Sequence, residues 1–171
     1  MIRAALKETS SLLPKVVDGL GAVAKAHKAL IAEDIQGDFG DSLESDEAFL
    51  VGHQGEHRWD YLLGHTPSNT VVGLEPHSAS TSEVQVVIKK RAAARAQLRD
   101  HLRPGRHVEA WYWVASGRVD FVPHEKQVNL LAQNGVRFIG KQLRAKDLPP
   151  AIAAPAPPKG HPKKSKKKAT K

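Results

Sequence analysis

A chain of 171 residues that is 40% hydrophobic is long enough to bury a core, and it contains no run near the roughly 20 apolar residues a membrane-spanning helix needs. It has no cysteine, which excludes disulfides and thiolate metal sites and leaves His, Asp and Glu as the available metal-ligating side chains. The net charge of +8 favours an anionic partner, but its meaning depends on where along the chain the charge sits.

The opening MIRAALKETSS reaches polar residues too soon for a secretory signal, so a soluble, cytoplasmic protein is expected. Residues 11–33 place Leu12, Val16, Val17, Leu20, Val23, Ala24 and Leu30 at helical intervals and predict one amphipathic helix, with Pro14 suited to its first turn. Gly19 and Gly21 weaken that helix by about 1 kcal/mol each relative to Ala. DIQGDFGDSLESDE, residues 34–47, is acidic and rich in turn formers, and reads as a surface loop.

From Ala48 the pattern turns to strands: AFLVGH, HRWDYLLGH and TVVGLEPH are short, rich in β-branched and aromatic residues, and bounded by turn formers. Between Ser82 and Leu102 the stripe Val84, Val87, Ile88, Ala94, Leu98 and Leu102 predicts a helix, ended by Pro104 and Gly105. HVEAWYWVA and GRVDFVP read as two strands joined by a hairpin at Ser116-Gly117. EKQVNLLAQN reads as a short helix ended by Gly135, and VRFIGKQL as a last strand. The order α-β-β-β-α-β-β-α-β gives an α/β (α+β) class, a mixed sheet flanked by helices over residues 1–148.

Residues 149–171 stand apart. AIAAPAPP cannot build a core, so this stretch is expected to be a disordered Pro/Ala linker and Lys-rich tail. Residues 151–171 hold seven lysines and no acid, which leaves 19 basic against 18 acidic residues in the body. Lys163, Lys164, Lys166, Lys167 and Lys168 are therefore expected to attract phosphate backbones, with a merely solubilising tail as the alternative.

Strand alternation supplies a chemical argument. Val71, Gly73, Glu75 and His77 share one face of the third strand, and Arg58, Asp60, Leu62 and Gly64 share one face of the second. An unpaired buried carboxylate is costly, so Asp60 must reach water, pair with a cation such as Arg58 or an arginine of the long helix, or bind a metal. Glu75 and His77 are neighbours on their strand, and a solvent-facing pair at a strand end is their plainer reading.

At these residues the chain resembles the PD-(D/E)XK nuclease superfamily. Its members share a core of a helix, three strands, a second helix and a further strand, with an Asp on the second strand and a Glu-x-Lys motif on the third. The resemblance covers about residues 10 to 115, and implies a restriction-endonuclease-like core with Asp60 and Glu75 as ligands of Mg²⁺, and His77 where the motif lysine belongs. Hard carboxylate oxygens suit Mg²⁺, which keeps waters for the substrate to replace. Histidine in place of lysine alters the chemistry, because an unperturbed imidazole is mostly neutral at pH 7. Lys89 and Lys90 of the following helix are candidates to restore the missing positive charge.

That helix is locally basic. Lys89, Lys90, Arg91, Arg95, Arg99, Arg103 and Arg106 meet only Asp100 as opposition after Glu83, and Arg91, Arg95 and Arg99 are expected to track a nucleic-acid backbone, unless they form an ordinary solvated face. No GxSxG elbow, Walker-type loop or HExxH pair is present. The expected function is thus a nucleic-acid-binding protein, for DNA rather than RNA, with a metal-dependent phosphodiesterase (nuclease) site. The alternative is a non-catalytic nucleic-acid-binding or protein-interaction domain on the same fold.

Overall fold

A computed structural model describes residues 1–120 and 126–152. The five lysines singled out in the tail lie outside the described residues, as does the end of the GRVDFVP segment.

A six-stranded mixed sheet organises the chain, with its strands side by side in sequence order. These are β1 (Val17–Asp18), β2 (Phe39–Glu44), β3 (Tyr61–His65), β4 (Thr70–Ala79), β5 (Val108–Val119) and β6 (Arg137–Phe138). The first four run antiparallel to one another, whereas β4–β5 and β5–β6 are parallel pairs. A parallel pair needs a crossover. The crossovers here are the two longest helices, α4 (Glu83–Leu98) and α5 (Lys126–Gln133), which follow three single-turn helices, α1 (Ile2–Ala5), α2 (Lys25–Lys28) and α3 (Ser45–Ala48). The mixed α/β class expected from the sequence is the class observed.

Each face of the sheet carries its own apolar cluster. On the α4 side Leu62, Val71, Trp111 and Trp113 pack with Val84, Val87, Ala94 and Leu98 of the helix and Leu131 of α5. On the other side Tyr61, Leu63, Val72, Leu74, Tyr112 and Val114 pack under Val23, Ile31, Ile35 and Leu143. The period-2 alternation of the central strands is what divides these two sets. Trp59, which strict alternation would put on the face of Tyr61 and Leu63, joins the α4-side cluster instead, because regular pairing of β3 begins only at Tyr61.

Several predicted elements are corrected. Residues 11–33 form no long helix: a 3₁₀ turn at Leu13–Lys15 is followed by β1 and, later, by α2. Gly19 adopts φ +57°, a left-handed conformation that interrupts a right-handed helix. The acidic stretch predicted as a loop contains β2. Its Asp41 is buried because the backbone N–H groups of Ile2 and Arg3 donate to its two oxygens at 2.9 and 3.0 Å, which satisfies the charge at the first turn of α1. AFLVGH is not a strand: it leaves α3 in turns, with Val51 83% exposed. Ser116-Gly117 makes no hairpin, since β5 runs through both residues and still pairs with β4 at Val119. The last strand is cut to Arg137–Phe138 before Gly140, with φ +77°, turns the chain.

Candidate active site

The register of β3 against β4 places Tyr61 opposite Leu74 and Leu62 opposite Gly73, which brings Asp60, one residue before β3, level with Glu75. Residues opposite each other in a sheet share a face. The backbone N–H of Asp60 donates to Glu75 Oε2 at 3.0 Å, and the Asp60 carbonyl accepts the N–H of Ser45 at 2.7 Å. The start of α3 and the main chain before β3 thereby fix both carboxylates.

Lys90 completes the cluster from α4. Its ammonium donates to Asp60 Oδ1 at 2.9 Å and also to Glu75 Oε1. The Glu75 side chain is fully buried, while Lys90 and Asp60 keep 17% and 23% exposure, so solvent reaches the cluster through the Asp60–Lys90 edge. Burial, reinforced by the Asp60 charge, pushes Glu75 up to about 8 against the pull of Lys90. Burial alone would lower Lys90, but the charges of Glu75 and Asp60 outweigh it and hold the ammonium above its ordinary value.

The aromatic floor explains the glycine two residues before Glu75. A Cβ on Gly73 would lie 2.6 Å from the Trp111 ring and 2.9 Å from Trp59 Nε1. These two rings meet edge to face, with centroids 5.0 Å apart. They form a low-dielectric wall beside the carboxylates, which strengthens electrostatic interaction there.

The remaining predicted residues separate from this cluster. His77 Nε2 lies 2.8 Å from Glu83 Oε2, so the imidazole engages the first turn of α4 rather than the carboxylate pair. Arg58 bridges to Asp46 at 3.0 Å and not to Asp60. Lys89 is exposed. Arg91, Arg95 and Arg99 line a separate groove with a cavity volume of about 920 Å³, together with Lys7, Arg103 and Arg106. Lys7 was not singled out by the sequence, since its contribution depends on α1 docking beside the end of α4, where its Nζ donates to the Asp100 carbonyl at 2.8 Å.

Carboxylate oxygens, the donors that Asp60 and Glu75 offer, are the kind a hard divalent cation takes. Asp60 and Glu75 are oxygen donors that already converge on one positive centre, the Lys90 ammonium. Among the described residues no third His, Asp or Glu joins them, so an ion held there would retain water in most of its positions. Among the same residues no helix is long and apolar enough to cross a membrane. No protein-family model, curated protein or solved structure matches the chain.

Proposed function

We propose that this chain is a nucleic-acid-binding protein with a Mg²⁺-dependent phosphodiesterase (nuclease) site built from Asp60, Glu75 and Lys90. The observation that carries this reading is the placement of Lys90, whose ammonium meets both carboxylates although it lies on the helix rather than two residues after Glu75. It supplies the fixed positive charge that His77, bound to Glu83, does not. The element order β2-β3-β4-α4-β5, with Asp60 entering β3 and Glu75 within β4, supports the resemblance to the PD-(D/E)XK superfamily.

In this reading Asp60 and Glu75 would hold the metal, and the chemistry it would supply when bound is polarisation of the phosphoryl oxygen and activation of a water. Lys90 places its charge where the pentacovalent phosphate accumulates negative charge, an electrostatic role that needs no proton transfer. The tryptophan wall keeps bulk water from the buried side of Glu75. Asp60, the more exposed carboxylate, faces the substrate side. DNA is the substrate to test first.

A second reading has an observation of its own. Lys90 already pairs with both carboxylates, as a structural ion cluster would, and this favours a non-catalytic domain that binds nucleic acid or protein on the same fold. Incubation of the full chain with single-stranded and duplex DNA and RNA in Mg²⁺ or Mn²⁺ separates the two. Cleavage that EDTA stops and Asp60→Asn abolishes supports the first reading; intact substrate in every combination leaves the second.

A further inference from the structure

The basic groove and the carboxylate cluster occupy opposite flanks of α4. Lys90 reaches toward β3 and β4, and Gln97 on the same flank donates to the His57 carbonyl ahead of β3 at 3.2 Å. Arg91, Arg95 and Arg99 open instead toward Val108, Glu109 and Trp111 of β5. With about 3.6 residues per turn, Arg99 points nearly opposite to Lys90. None of Asp60, Glu75 and Lys90 lines the groove.

Within the groove, positive charge exceeds negative: Lys7, Arg91, Arg95, Arg99, Arg103 and Arg106 line it beside a single carboxylate, Glu109. Arg91, Arg95, Arg99 and Arg106 form no ion pair among the described residues, and the buried Arg91 Nε has no hydrogen-bond partner there. The acids nearby are otherwise engaged: Glu8 pairs with Arg103 at 3.5 Å, and Glu109 with His107 at 3.1 Å. Burial, with Arg95 second, holds Arg91 below its ordinary value, the direction expected of like charges gathered on a partly desolvated wall. Arg91, partly buried and unpaired, bears a desolvation cost that an anion would offset, while Arg95, Arg99 and Arg106 are exposed and open to a ligand.

We infer that this groove is an exosite for the phosphate backbone of nucleic acid, reached by a part of the strand other than the one at Asp60 and Glu75. The inference rests on the nucleic-acid part of the proposed function, but not on cleavage. Backbone held across α4 anchors the polymer while a different phosphodiester lies at the carboxylates, so affinity and chemistry are divided between two flanks of one helix. Guanidinium groups suit this role through their planar, multi-donor geometry toward phosphate oxygens.

The test is fluorescence anisotropy of a labelled DNA duplex with the full chain across a salt series in EDTA. Arg95→Ala/Arg99→Ala is compared with Lys25→Ala/Lys28→Ala, which removes the same charge from the opposite face of the sheet, and with Arg95→Lys/Arg99→Lys. Melting curves verify that each variant is folded. The groove alanines are expected to flatten the slope of log affinity against log salt by about two units, with the control pair and the lysine variant near wild type. An equal effect in the control, an unchanged groove variant, a wild type that binds no duplex, or competition by polyglutamate as strong as by DNA would each overturn the inference. Cleavage by wild type in Mg²⁺ is scored separately. A groove effect without cleavage removes the phosphodiesterase reading and leaves the exosite; cleavage without a groove effect does the reverse.

Discussion

Glu75 is held from two sides: the Asp60 backbone N–H donates to its Oε2 at 3.0 Å, while its Oε1 accepts from the Lys90 ammonium. The first contact comes from the main chain, so it survives any substitution of the Asp60 side chain except by proline. Replacing Asp60 therefore removes a charge from the cluster while leaving Glu75 oriented, and this makes Asp60→Asn the cleanest probe of chemistry.

Above about pH 8, where Glu75 is ionised, Lys90→Met leaves a fully buried carboxylate and a partly buried one facing each other with no cation. Breaking a buried pair by removing one partner costs about 3 kcal/mol or more. Urea denaturation in EDTA above about pH 8 should show that loss, and Glu75→Gln/Lys90→Met should recover most of it. Equal stability of wild type and Lys90→Met would mean that the ion pair is absent in solution.

The pH dependence of stability follows from Glu75, raised from 4.5 to about 8. Between those values the folded chain keeps a proton that the unfolded chain has released, so this group makes stability fall as pH rises from about 4.5 to about 8. His65 and His101, lowered by burial, act in the opposite sense, but equally in wild type and variant. The melting temperature of Glu75→Gln minus that of wild type should climb across this window. Parallel curves would contradict it.

Gly73→Ala drives a methyl group into Trp111 and Trp59 Nε1. Overpacking of this kind costs about 1–3 kcal/mol. Tryptophan fluorescence should shift as the edge-to-face pair opens, and chemical denaturation should record the loss. A variant as stable as wild type with unchanged emission would show that the wall is loosely packed.

His77 and Lys90 should differ in their effect on cleavage. Removing a group that stabilises developing charge costs about 10²–10³ in rate, which is the loss expected for Lys90→Gln. His77→Ala, which removes the contact with Glu83, should retain most of any cleavage, and His77→Lys should not restore cleavage to Lys90→Gln. Rates in the reverse order would return the motif role to position 77.

The legible parts of the sequence were those where period and burial agree. Val71 to His77 alternate cleanly because both faces of β4 are covered, and the stripe from Val84 to Leu98 faces the sheet. The strand β2 was hidden because its acids look like loop residues; Asp41 is tolerated there through the N–H groups of Ile2 and Arg3, a long-range arrangement that no local pattern reveals. AFLVGH misled in the other direction, since an apolar composition does not oblige Leu50 and Val51 to be buried. At the site, alternation grouped Asp60 with Leu62 and Glu75 with Gly73 on their own strands, but bringing the two carboxylates to one face took the pairing register of β3 against β4. Choosing Lys90 over Lys89 required knowing how α4 is rotated over the sheet. The separation of the basic groove from the carboxylates required the strand order.

The central claim is tested most directly by incubating the full chain with duplex and single-stranded DNA in Mg²⁺, beside Asp60→Asn and Lys90→Gln verified as folded at the assay temperature. The account predicts cleavage by wild type that EDTA abolishes and that both variants lose by about 10²-fold or more. Intact DNA with wild type in Mg²⁺ and Mn²⁺, or cleavage that persists undiminished in Asp60→Asn, would contradict it.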